Sequence, residues 1–146
     1  MDNRHHPVVI SSFEGSPGVS VIDAYYAWTD AMAAAAMAEE QQLVHVTDLS
    51  EARMPTPRVR KRVIEHNLAN LAAEVSLAHV IVVPSLGLRT IVQTVARLSR
   101  PRLGEPELLF ASSLEQGIEF ALGLLWEARI PPPFGLDPSK YQRPSR

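Results

Sequence analysis

The sequence predicts an α/β fold: a mainly parallel sheet of about four strands with four helices, in the order β-α-β-α-β-α-β-α. Short β-branched or apolar runs alternate with longer segments whose apolar residues recur every three or four positions. The run His79 to Pro84 (HVIVVP) is continuously apolar, the pattern of a central parallel strand covered on both faces. Strict alternation of the two periods argues right-handed crossovers, with helices packed on the sheet.

Each element follows from its residues. Val8 to Phe13 is a strand ended by the turn Gly15-Ser16-Pro17-Gly18. Ser20-Val-Ile-Asp23 matches a capping box with Asp for Glu, and the helix it opens is expected to run to about Gln41. Ile22, Tyr25, Trp28, Met32 and Ala36 form its expected buried stripe. Leu43 to Asp48 is the second strand. The second helix, from about Pro57 to Leu77, turns Val63, Leu68, Leu71 and Val75 inward. After the third strand, a helix from Leu86 to Leu98 carries Leu88, Ile91, Val95 and Leu98 and stops at Ser99-Arg100-Pro101. Leu108 to Ala111 is the last strand, and Ser113-Leu-Glu-Gln116 caps a helix bearing Ile118, Leu122 and Leu125. The expected core includes Trp28, Leu68, Val82, Ile91, Phe110 and Leu122.

A chain of 146 residues with 46% hydrophobic residues fits one such domain, over residues 1–129. Residues 130–146 form a Pro-rich C-terminal tail, since Pro131-Pro132-Pro133 cannot join a helix. This tail reads as mobile and separable, so that removing Leu136 to Arg146 leaves the melting temperature nearly unchanged. Trp126 and Phe134 are the exceptions, two aromatics that could clamp the tail or a second subunit. The net charge of −2 gives no global attraction to nucleic acid or to an anionic membrane. The absence of cysteine excludes disulfides, thiol catalysis and cysteine-ligated metals. Met1 to Pro7 is polar and the apolar run Ala31 to Ala38 is too short to span a bilayer, so the expected location is cytoplasmic.

The stretch richest in chemistry is Leu43 to Arg62 (LVHVTDLSEARMPTPRVRKR). A strand ending on Asp48 is followed by Ser50, Arg53, Thr56 and Arg58, and then by Arg60, Lys61 and Arg62 at a helix start. Ligands and partners of open α/β sheets dock at the carboxyl edge, where these residues fall. Asp48 is either a cation or phosphoryl site or an Asx residue bonding its own turn. Cations at a helix start oppose the macrodipole by a few tenths of a kcal/mol each, which Glu51, Glu65 or an anionic ligand would offset. Ser85 and Arg89 open the next helix on the same edge. With Arg53 and Arg58 they outline a weak anion site, the alternative being that Arg89 pairs with Asp48 or Glu51. The histidines (5, 6, 45, 66 and 79) have no metal-binding spacing. There is no nucleophile elbow, P-loop or dinucleotide fingerprint. No catalytic constellation, cofactor or metal is therefore expected.

The stretches HPVVISSFEG, LVHVTDLSEA, HVIVVPSLGLRTIV and ELLFASSLEQGIEFAL resemble the small bacterial proteins of the STAS-like (SpoIIAA-like) group. These are relatives of anti-sigma-factor antagonists, with a distant likeness to lipid-binding CRAL-TRIO domains. The resemblance spans about Pro7 to Leu125. It implies a sheet with helices largely on one side and a regulatory or scaffold role, binding a protein partner without catalysis. In the antagonists a phosphorylated Asp-Ser-Ser-Gly motif follows the strand matching Val44 to Leu49. Here Arg53-Met-Pro-Thr-Pro-Arg58 stands there, with Thr56 the nearby hydroxyl. A protein partner is thus expected, with a homodimer possible and neither nucleic acid nor stable membrane insertion. The alternative is a domain for a small anionic ligand, a nucleotide or lipid, on the same edge.

Overall fold

The computed structural model describes residues 1–69, 75–98 and 107–144, the side chains of Leu68 and Ala69 excepted. The chain runs β1 (Val8–Gly15), α1 (Val19–Ala38), β2 (Leu43–Ala52), α2 (Pro57–Ala69), β3 (Ser76–Val82), α3 (Leu86–Leu98), β4 (Glu107–Ala111) and α4 (Leu114–Glu127). All pairings are parallel and the strand order is β1-β2-β3-β4. The α/β class and the alternating order are those the sequence predicts.

Because every crossover steps the same way and is right-handed, α1, α2 and α3 lie on one face of the sheet. On that face Leu43 meets Ala33 and Ala36 of α1, and Phe13 packs into a cluster of Ile22, Tyr26 and Val59. The opposite face holds the main core, where Val8, Ile10, Val44, Val46, Val80, Val82 and Ala111 meet Ile118, Ala121 and Leu125 of α4. Alternate strand residues supply these two faces, which is why Val-rich strands suffice. The β1 edge is partly closed by an antiparallel bridge between Asp2 and Ile10, with N···O distances of 2.7 and 2.9 Å.

Boundaries differ from the sequence reading in instructive places. Asp48 does not end β2: pairing with β1 continues to Glu51 and Ala52 across a register shift near Phe13. Leu77 lies in β3, not in α2, and Leu71 falls outside the described residues. The helix α1 starts at Val19 behind Gly18, which has no side chain to cap it; Ser20 lies inside the first turn and Asp23 pairs with Arg62 of α2 at 2.6 Å, so the expected capping box does not form. Its buried residues are Ile22, Tyr26, Thr29, Ala33 and Ala36, so the stripe is turned from the expected Tyr25, Trp28 and Met32 toward the small residues. Of the expected core, Val82 is fully buried, whereas Trp28, Ile91, Phe110 and Leu122 are half-buried and Leu68 is outside the described side chains. The strand β3 alternates buried and half-buried residues, and so is not equally covered on both faces.

Local hydrogen bonds fix both ends of α4. Ser113 accepts a hydrogen bond from the Gln116 N–H (3.2 Å), and Gln116 Oε1 accepts from the Ser112 N–H (2.7 Å), closing the start of the helix as the sequence indicates. At its far end Arg129 takes a left-handed φ of 59°, and the Ile130 N–H returns to Leu125 O at 2.8 Å. Just beyond that turn Ile130 packs against the main core. The tail is therefore packed, not loose: Leu136 is buried in the main core and Tyr141 packs against it.

The helix α4 sits close enough to the sheet that Gly117 leaves no space for a side chain. A Cβ there would lie 2.6 Å from Val82 Cγ2. Helix propensity favours Ala over Gly by about 1 kcal/mol, but overpacking a rigid valine layer costs about 1–3 kcal/mol. The expected result is a net loss of about 1 kcal/mol for Gly117→Ala and a larger one for Gly117→Val, read by urea unfolding. A more stable Gly117→Ala protein would show that Val82 yields freely.

Candidate functional site

The carboxyl edge of the sheet is stepped. Pairing of β2 with β3 ends at Asp48–Val82, whereas pairing of β2 with β1 runs on to Ala52. At about 3.3 Å per residue, β1 and β2 rise roughly 13 Å above the end of β3. Asp48 stands at the foot of this step, with its side chain 0% exposed. Its Oδ1 accepts from the Ser50 N–H at 2.9 Å, the Asx arrangement anticipated for it, but within a strand. Its Oδ2 accepts from Arg143 Nη2, which also donates to Ser50 Oγ at 2.8 Å, and Arg143 Nη1 pairs with Glu51. One strand thus offers three acceptors to one guanidinium delivered by the tail.

Two further contacts hold the tail beside this pocket. Tyr141 donates from its hydroxyl to Asp2 Oδ2 at 2.9 Å, and Arg4 bridges Asp2 and the Gln142 carbonyl. The Arg4 hydrogen bond holds the Asp2 carboxyl down at about 2, against the opposing effect of burial. Burial, and next the hydrogen bond to Asp2, raise the Tyr141 phenol above its ordinary value.

The residues singled out from sequence separate into three groups. Asp48 and Ser50 come together, joined by Glu51 and Arg143. Thr56 and Ser85 serve as helix caps: Thr56 Oγ1 accepts from the Val59 N–H at 3.3 Å, and Ser85 Oγ lies 3.5 Å from the Leu88 N–H. Arg53 and Arg58 are exposed, with no ion pair among the described residues. Arg89 joins none of these; its guanidinium lies over the Phe110 ring, 5.3 Å from the centroid. Neither Asp48 nor Glu51 is its partner, since Arg143 takes both. Within the basic run, Lys61 pairs with Glu65 at 3.7 Å and Arg62 with Asp23.

Two apolar side chains complete the edge. Met54, just beyond β2, is 48% exposed, and Leu86, at the start of α3, is 80% exposed. Sequence periodicity places Leu86 in a helix and gives no signal for Met54, because a hydrophobic residue beside Arg or Pro has no pattern that marks exposure. Arg143 is equally silent, being 95 residues from Asp48 in a segment without pattern.

On the helical face behind this edge, β2 and β3 bring His45 and His79 into a parallel stack, with centroids 4.9 Å apart and planes 10° apart. Tyr25 of α1 reaches Thr47, which also accepts from Ser11 (3.3 Å each). No described helix is long and apolar enough to cross a membrane. No family model, curated protein or solved structure matches the chain.

Proposed function

We infer that this protein is a non-enzymatic regulatory or scaffold module that docks a protein partner on the carboxyl edge of its sheet. The carrying observation is that two exposed apolar side chains, Met54 and Leu86, and the exposed cations Arg53 and Arg58, which have no ion pair among the described residues, all lie on loops and helix starts that follow the carboxyl ends of the neighbouring strands β2 and β3. Met and Arg are enriched at the centres of protein interfaces, and an apolar centre with a cationic rim suits an acidic, amphipathic partner surface. The strand order supports this reading over a small anionic ligand. Among the described strands the order never reverses, so they form no crevice of the kind in which α/β folds hold nucleotides. The Val59 and Leu88 amides, which an anion would need, face their own caps. The resemblance to anti-sigma-factor antagonists points the same way. With Thr56 committed as a cap, the reading does not depend on a phosphorylation switch there.

Charge reversal tests it. The partner recovered by crosslinking from the native cell is expected to bind the Arg53→Glu, Arg58→Glu protein at least about tenfold more weakly, or about 1.4 kcal/mol. Rising salt should weaken the unaltered complex, and Glu39→Lys on the far end of α1 should change nothing. Equal binding by the reversed protein, or loss of phosphate or nucleotide binding instead, would overturn the reading.

A further inference from the structure

The pocket at the foot of the step already holds a ligand, one the chain supplies itself. We propose that Asp48, Ser50 and Glu51 form a guanidinium-binding pocket with Arg143 as its tethered occupant, and that an arginine presented by the docked partner takes its place. This deepens the docking reading above by naming the group that the partner inserts.

The donor and acceptor geometry fits a planar fork. One guanidinium nitrogen serves Asp48 and Ser50, and the other serves Glu51, so two nitrogens are divided between two carboxylates. An ammonium is a point charge and lacks this fixed division of donors. Asp48 Oδ1 is committed to the Ser50 amide, so Oδ2 is the oxygen left for a cation. No other described cation reaches it, and a buried carboxylate without a counterion is strongly disfavoured. Departure of Arg143 therefore creates a demand that another arginine meets.

The occupant is also replaceable. Its side chain remains 30% exposed, so the pocket is reachable from solvent. Beyond the Leu136 anchor the tail is held by Tyr141, by the Gln142 carbonyl at 3.4 Å from Arg4, and by Arg143 itself. Among the described residues, Ser139 and Lys140 bond only to Asp137, within the tail. Residues 137–144 could then lift while Leu136 stays in the core.

Chemical rescue tests the pocket. Arg143→Ala removes the atoms of N-ethylguanidinium, so this cation is titrated into the full-length variant and the amide spectrum followed. The expected result is saturable binding with shifts confined to Asp48–Ala52, at least about tenfold tighter than to the unaltered protein or than ethylammonium binds. Shifts that do not saturate, or equal binding of ethylammonium, would overturn the proposal. A second measurement avoids the variant: acetyl-arginine amide is titrated into the unaltered protein and the amide spectrum followed. Resonances of 141–144 should shift together with those of Asp48–Glu51, in a saturable way, while those of β3 stay in place; unmoved tail resonances at saturating acetyl-arginine amide would overturn it. Ethylguanidinium does not need Arg53 or Arg58, so its failure counts against the pocket alone, and failure of their reversal counts against the docking surface alone.

Discussion

Removing Leu136 to Arg146 is expected to lower the melting temperature by about 10 °C. Leu136 is 8% exposed in the main core, and withdrawing such a side chain costs roughly 2–3 kcal/mol. Asp48 loses its counterion at the same time. Breaking a buried pair costs about 3–5 kcal/mol, less here because the vacated site admits water. A combined loss of roughly 4 kcal/mol corresponds to about 10 °C in a domain of this size and consumes much of an ordinary folding stability. Leu136→Ala and Arg143→Gln, measured singly, should each account for part of the loss. A shift below about 3 °C on truncation would show that the tail contributes nothing to the fold.

The second large effect is a pH slope set by His45. Burial, and then the neighbouring His79, push its imidazole down to about 3, against an ordinary value near 6.5. Between those values the unfolded chain carries a proton that the folded chain refuses. Stability is therefore full above about pH 6.5 and falls with acidification, by at most about 1.4 kcal/mol per unit, for a total of several kcal/mol. Asp2 adds a separate loss only below about 3.8, as pH falls toward its folded value of about 2. Urea midpoints at pH 7, 6, 5 and 4 should decline steadily in the unaltered protein. In His45→Phe, whose ring can keep the stack with His79, the slope between pH 6 and 4 should flatten. An unchanged slope would place the titrating group elsewhere.

What is legible in the sequence is what local periodicity carries. Strand and helix order follow from 2- and 3.6-residue patterns, and the Ser113 cap follows from residue type at fixed spacing. The α1 stripe is misjudged because sequence reasoning favours large side chains, whereas close approach to the sheet selects Ala33 and Ala36. β2 is cut short because Asp48 and Ser50 read as turn residues, and only its pairing with β1 carries it to Ala52. At the candidate site, Asp48 and Ser50 are visible as polar punctuation, but their partner is not. Arg143 contacts them through tertiary return of the chain, and neither composition nor spacing encodes that return. The proline run that reads as the end of structure is instead the stiff connector that aims the tail.

The clasp between Asp2, Arg4, Tyr141 and Gln142 joins residues up to 139 positions apart. Closing so long a loop carries a high entropic cost before any contact is gained, so this contact belongs to the last stage of folding. Until the tail docks, Asp48 lacks its Arg143 counterion and the Leu136 site is unfilled, so the carboxyl edge stands open until the returning tail shuts it.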